Sequence, residues 1–373
     1  MRVLLRVRAM ATKEVMHILR DPQILAFALG MPVVLILLFG YAVSFDVEHT
    51  PLVVVDQDRS PASRQLVDAF TASDTFHEIA RTDAPDAAET LFRRSIARSA
   101  LVIPHGFDAA RRAGREAVAQ LLLDGSDNMT ASIALGYANA VAMSQSQADV
   151  ARVMGTFEPP IDMRPRMLFN PALRSSVFLV PGLIVVILVI GAVMLTALTI
   201  AREYERGSME QLFTTPVARL EVILGKVAPY FVLGQVQVLL VVTLGVWLFD
   251  VPVRGSLPLL FCVASVFLLA MLMQGIVISV VTRNQMVASQ VAVISTMLPA
   301  LLLSGFMFPV ENMPLVLQGI ASVMPARYLV HGLRAILLRG NGLDVVGPDM
   351  LAMGAFFLVL LAIATKRFRR TVA

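Results

Sequence analysis

Charge is scarce in this sequence. Of 373 residues only 16% are Asp, Glu, Lys or Arg, while 57% are hydrophobic and the mean hydropathy is +0.74. Soluble domains carry about 25% charged residues. The shortage argues against a water-soluble enzyme of this length, and so apolar a chain is not disordered either. The deficit is uneven: long runs hold no charge at all, which points to lipid rather than to an oversized core. Cysteine is almost missing. Cys262 stands alone, so no internal disulfide can form, and its apolar surroundings make it a small packing residue. His49, His77 and His105 lack metal-ligand spacing. Asp56-x-Asp58 lacks the glycine and distal glutamate of a calcium loop, so these two and Asp68 read as solvated turn carboxylates. Asn128-Met129-Thr130 fits a glycosylation sequon, a tripeptide that chance supplies often.

What the chain has in abundance is runs long enough to cross a bilayer, for which a helix needs about 20 residues. Charge-free stretches predict spans over 22–45, 175–201, 227–249, 255–282 and 284–310. A sixth stretch, 350–365, has 16 residues and reaches a workable length only by starting near Val345 and tolerating Asp349 at the interface. Basic residues set the orientation. Arg2, Arg6, Arg8, Lys13 and Arg20 precede the first span, and Arg202, Arg206, Arg219 and Lys226 lie between the second and third. Arg283 follows the fourth, and Lys366, Arg367, Arg369 and Arg370 follow the sixth. All fall on one side, so both termini are expected in the cytoplasm. The basic balance reads as topology and anionic lipid, with no nucleic-acid signature interleaved.

The N-terminal segment 1–21 predicts an amphipathic helix lying at the membrane surface. Arg6, Lys13 and Arg20 recur every seven residues, and Val3, Val7, Ala11, Val15 and Leu19 every four on another face. Asp21-Pro22 should end it. A cleaved signal peptide is the competing reading, since Ala42-Val43-Ser44 could pass as a cleavage site. The apolar run before it exceeds the usual core of about 7–15 residues, which argues against cleavage.

Residues 46–172 differ from the rest. They hold 12 Lys/Arg and 17 Asp/Glu, a net of −5, against 19 and 10, a net of +9, elsewhere. Leu52–Val55, Ala100–Ile103 and Val118–Leu123 read as strands. Ser60–Ala72, Ala84–Arg94 and Met129–Gly155 read as helices. The alternation predicts a compact α/β domain outside the cytoplasm.

The stretch between the second and third spans is dense in charge of both signs. Glu203, Arg206 and Glu210 have i, i+3, i+7 spacing, and Met209, Leu212 and Phe213 add an apolar patch before Pro216. This predicts a short cytoplasmic helix over 203–216 that presents a docking surface; a plain solvated loop is the simpler alternative. The run Arg202–Lys226, including Gly207-Ser208, Thr215-Pro216, Glu221 and Gly225-Lys226, resembles the coupling region of type-2 ABC exporter permeases, the ABC-2 membrane family. Leu303-Ser304-Gly305-Phe306-Met307-Phe308-Pro309, Met313-Pro314 and Pro325-Ala326-Arg327-Tyr328 resemble that family's outer re-entrant segment, here 309–328. Lys13-Glu14, Arg20-Asp21-Pro22, Gly40-Tyr41 and Val54-Val55-Asp56 form a third match.

The resemblance implies a six-helix permease in the bacterial inner membrane, of the multidrug-export branch with a large periplasmic domain. It also implies a cytoplasmic ABC ATPase subunit, a second permease protomer (identical or related) and, beyond the membrane, an adaptor protein. Glu203, Arg206 and Glu210 would anchor the coupling helix. Met209, Leu212 and Phe213 would fill the ATPase groove, and Glu221 and Lys226 would hold the start of the third span. No cofactor is expected on this chain. Gly225-Lys226 precedes Val227, and Leu220 occupies the place of the first phosphate-loop glycine, so ATP would be bound by the partner. Spans one to five carry only amides and hydroxyls at depth, such as Gln235, Gln237, Gln274 and Gln290. Such a path suits a drug-like or lipid cargo and argues against an ion-coupled transporter. A membrane-anchored sensor or scaffold using 46–172 is the other alternative; six spans exceed what an anchor needs.

Overall fold

A computed structural model describes residues 2–42, 50–72, 75–94, 96–126, 128–154, 168–170, 174–207 and 217–368. The chain divides into two compact units, one made of Met1–Ser44 with Met167–Ala373, the other of Phe45–Arg166.

The first unit opens with helix α1 over Arg2–Arg20 and helix α2 over Pro22–Tyr41. The break between them is local chemistry. Asp21 adopts extended geometry and its carboxylate accepts from Gln23 N (3.0 Å) and Ile24 N (3.3 Å), while Pro22 takes the first helical position, where no amide is needed. A turn of π-helix interrupts α2 at Ala26–Gly30.

The second unit is a four-stranded sheet of order β2-β1-β3-β4. Strand β1 is Thr50–Asp56, followed by helix α3 (Pro61–Thr71), strand β2 (Phe76–Thr82) and helix α4 (Pro85–Arg93). Then come strand β3 (Ser99–Ile103), helix α5 (Phe107–Arg112), strand β4 (Gln120–Leu123) and helix α6 (Asn128–Met154). β1 is central and parallel to β2 and β3, and β4 is antiparallel to β3. A strand paired on both sides and covered on both faces should be apolar throughout. β1 obeys: Leu52 and Val54 pack with Leu66, Val67 and Phe70 on one face, and Val53 and Val55 with Ala88 and Ala100 on the other. Sequence reading missed β2 and α5. β2 (Phe-His-Glu-Ile-Ala-Arg-Thr) is an edge strand half open to solvent, so its pattern is mostly polar, and α5 is only six residues long.

Asp56 and Asp58 hold this unit together by hydrogen bonds. Asp56, expected to be solvated, is buried and accepts from Asp58 N (3.2 Å), Arg59 N (2.9 Å) and Ser63 Oγ (2.8 Å). Asp58 reaches across to the start of α5 and accepts from Gly106 N (2.8 Å) and Asp108 N (3.0 Å), so it caps a helix whose own N-cap is a glycine. Hydrogen bonding by Ser60 and these amides holds the Asp58 carboxyl below its ordinary value. A lowered carboxylate contributes stability that is present above the ordinary carboxylate value and lost as pH falls through the lowered one. Hydrogen-exchange protection of the Gly106 and Asp108 amides should therefore persist at neutral pH and fall away in acid. Asp58→Asn should lower it and remove that acid step; protection unchanged by the substitution would exclude Asp58 as the cap. Among the described residues no group of three or more His, Cys, Asp or Glu could hold a metal ion.

The first unit resumes with four long helices: α7 (Ser175–Glu205), α8 (Arg219–Phe249), α9 (Leu257–Thr282) and α10 (Gln285–Leu302). Two short helices follow, α11 (Leu315–Ala321) and α12 (Pro325–Arg334), and α13 (Leu343–Arg367) closes the unit. With α2, five of these are long and apolar enough to cross a membrane, giving six such helices among the described residues. α7 is the centre: it packs on α2, α8, α9, α10 and α12 and is buried along nearly its whole apolar length. Its tightest approach is to α9, where a Cβ added at Gly275 would lie 2.6 Å from the Val193 carbonyl oxygen and 3.0 Å from Ala197 N. α1 and α2 run beside α8 in the same direction. Arg6 meets Glu221, Met10 packs on Gly225, Glu14 meets Lys226, Gln237 Nε2 donates to Ala28 O (2.5 Å) and Phe249 lies against Gly40. Gln235 donates to Ser265 Oγ (3.0 Å), so both these amides join helices.

Several expected boundaries move. The third span begins at Arg219 rather than 227, because Glu221 and Lys226, used as markers of its edge, find partners and stay in the helix. The fifth ends at Leu302 rather than 310: Gly305 takes φ +79° and turns the chain. The sixth runs unbroken from Leu343, with Asp349 buried inside it and paired with His331 Nδ1 (2.6 Å).

Candidate coupling site around a buried lysine

The charged stretch between the second and third spans begins in the last turn of α7 and ends in the first turns of α8. Helix α7 ends at Glu205, Arg206 caps it, and Gly207 takes φ +67°, a left-handed conformation that favours glycine. The single helix expected over 203–216 is thereby corrected: Glu203 belongs to the last turn of α7, and helix geometry stops at Gly207. Glu210, Met209, Leu212, Phe213, Thr215 and Pro216 lie outside the described residues.

Glu203 points inward. Its carboxylate lies 3.1 Å from Lys226 Nζ and 3.3 Å from Lys13 Nζ. Lys226 Nζ also donates to Glu14 Oε1 at 2.5 Å, and the Lys226 side chain is only 1% exposed. A buried ammonium in contact with two carboxylates recovers its lost hydration from them, and the spare negative charge is matched by Lys13 from the solvent side. A second set of contacts flanks this cluster. Arg202 reaches Asp21 (3.7 Å), His17 Nε2 (3.1 Å) and Gln285 Oε1 (3.3 Å). Glu205 accepts from Gln285 N (2.8 Å), and the Arg283 guanidinium lies 5.1 Å from the centre of the Tyr204 ring.

The start of α8 is pinned by the same helix. Glu221 Oε2 accepts from Ala218 N (2.7 Å), satisfying an open amide of the first turn, and pairs with Arg6 (3.6 Å). Gly225 lets α1 come close, since a Cβ there would lie 2.6 Å from Met10 Cβ. Together Glu203, Glu221, Gly225 and Lys226 fasten both helix ends that border residues 208–216 to one element, α1. Between the ends is a cavity of about 280 Å³ lined by His17, Leu195, Arg202, Arg206, Lys226 and Tyr230.

The outer motif forms a second cluster. Ser304 Oγ donates to Ala300 O and accepts from Phe306 N (3.2 Å), fixing the turn at Gly305. Phe306 is buried against Gly182 of α7. Pro309, Met313 and Pro314 line an apolar groove of about 600 Å³ with Leu298 and Phe308. The sequence reading missed Arg334. It donates to Gly305 O (2.9 Å) and Phe306 O (3.4 Å) and stacks 4.1 Å from the Phe178 ring centre, so it ties the turn to the start of α7. It also passed over Arg6, His17 and Asp21 as partners of α7 and α8. The only signal was a charged pair, Lys13-Glu14, placed mid-helix.

Known proteins bear on this arrangement. The family described as ABC-2 family transporter protein matches residues 22–366. The Escherichia coli protein named probable multidrug ABC transporter permease YbhS is 35% identical over 96% of this chain and 94% of its own length. Its namesake YbhR, also from Escherichia coli, is 28% identical over 98% of this chain and 99% of its own. The inner membrane transport permease YhhJ of Escherichia coli is 30% identical over 86% of each. With a family match over nearly the full length and six helices fit to cross a bilayer, this chain belongs to the ABC-2 transporter family and is a multi-pass membrane permease.

Proposed function

We propose that this permease moves an amphipathic or hydrophobic molecule, drug-like or lipid, out of the cytoplasm or inner leaflet of a bacterial inner membrane. A separate cytoplasmic ATPase subunit binds and hydrolyses the ATP, and two permease protomers form the path. The relatives' names speak of multidrug ABC permeases, which supports the cargo class. Both termini and residues 208–216 face the cytoplasm in this reading. The α/β unit lies on the opposite side, where an adaptor would meet it, and 309–328 dips back into the outer leaflet.

The observation that carries the coupling is the ion cluster at Lys226. A push on residues 208–216 reaches two helix ends that α1 holds together, so α7 and α8 shift as one body rather than bending apart. Transmission of this kind requires an element stiff on the scale of the motion. Glu203 and Lys226 supply the stiffness, and Arg206, Glu210, Met209, Leu212 and Phe213 supply the contact with the ATPase.

Reversing the contact charges tests this. Arg206→Glu with Glu210→Lys should weaken the contact at least about tenfold, a change of about 1.4 kcal/mol, so that the ATPase subunit is lost on purification and transport-linked ATP hydrolysis falls. An ATPase that still co-purifies and is still stimulated would refute the assignment.

A further inference from the structure

α1 spends three of its charges on its neighbours: Arg6, Lys13 and Glu14 pair with Glu221, Glu203 and Lys226. Much of its exposed surface is apolar, with Leu4, Leu5, Met16 and Leu19 open beside Arg8 and Arg20. Where α1 breaks into α2 beside α8, a groove of about 350 Å³ opens, lined by Ala11, Val15, Leu19, Pro229, Val232 and Val236. That volume lies within the range of small-molecule sites, about 300–1,000 Å³. Every lining side chain is apolar, so nothing in the groove favours a polar guest. It continues onto the exposed stripe of α8 at Val232, Val236 and Leu239, the surface a membrane helix shows to lipid.

A cation stands at one end. Arg8 is exposed, lies one helical turn before Ala11 on the same face, and has no ion pair among the described residues. Arg6 and Lys13, its basic neighbours on α1, are both engaged. The groove runs from Ala11, one turn past Arg8, towards Leu25 and Val236, away from the end of α8 that carries Glu221.

We propose that this groove holds an acyl chain of one resident anionic phospholipid, whose phosphate sits on Arg8. The chain explains the apolar lining and the continuity with lipid-facing surface. The charge explains an unpaired arginine at the mouth of the groove, where headgroups lie. The site rests on the membrane reading of the helices and not on ATPase coupling, so lipid retention and export fail separately.

Native mass spectrometry of the full-length permease, stripped of lipid in detergent, reads the site directly. The probes are dioleoylphosphatidylglycerol, dioleoylphosphatidylcholine and, as a free headgroup, glycerol 1-phosphate. One phosphatidylglycerol per chain should be retained at least about fivefold better than phosphatidylcholine, the worth of one interfacial arginine. Arg8→Gln should bring the two lipids level. Ala228→Phe, which fills the groove from an exposed position, should lower retention of both. Glycerol 1-phosphate should not bind. Equal retention of the two lipids by the unaltered protein, full retention in both variants, or binding of glycerol 1-phosphate as tight as the lipid would each overturn the proposal. Monodisperse elution of both variants checks that the fold is kept.

Discussion

Lys226→Met should unseat α1 and lower the stability of the permease by about 3–5 kcal/mol, because it strands Glu14 in a site that is almost closed to water. Glu14→Leu should do the same, leaving Lys226 with one carboxylate and a poorer balance. The double variant should recover most of the loss: two apolar side chains of similar volume need no hydration, and burying them is often as favourable as burying an ion pair. Thermal unfolding in detergent measures this cycle, and recovery in the double variant separates an ion pair from a merely crowded site. Additive losses would show that Glu14 and Lys226 do not act together. The double variant also tests function. If the ion cluster stiffens the two helix ends, the refolded pair should bind the ATPase and yet stimulate it less; full stimulation would make the cluster purely structural.

Gly275→Leu should prevent accumulation of folded protein. A side chain there meets the backbone of α7 at Val193 and Ala197 as well as Thr196, and backbone cannot swing aside as a long side chain can. Gly275→Ala should cost about 1–3 kcal/mol, the usual penalty for overpacking. Adding Thr196→Ala removes the Thr196 clash but not the Val193 carbonyl, so it should restore only part. Gly319 is the control: it is also helical but has open space around it, and Gly319→Ala should be neutral or slightly stabilising through helix propensity. Yield and melting temperature in detergent decide both. A normal melt for Gly275→Leu would mean that α7 and α9 can separate at no cost.

These two sites differ in how visible they were beforehand. Gly275 lies in an apolar run where nothing marks it as a contact point; its meaning depends on which helix faces it. Lys226 was singled out, but for its place beside Gly225 rather than for Glu14, which lies 212 residues away. The third and sixth spans departed from their charge-free lengths for one reason. The rule assumes that a charge belongs at a helix edge, and a charge with a partner does not. Glu221, Lys226 and Asp349 all sit inside helices because Arg6, Glu14 and His331 reach them. The break at Gly207 was overlooked because i, i+3, i+7 spacing continues in number across a left-handed residue even where the helix does not.

By itself the sequence determined the six helices long enough for a bilayer found among the described residues and an α/β unit, since hydrophobic period and charge depletion act over a few neighbouring residues. Only the tertiary structure decided that a buried lysine joins the N-terminal helix to both sides of residues 208–216. Ion pairing falls off with distance, and distances between residues hundreds of positions apart exist only after helices pack.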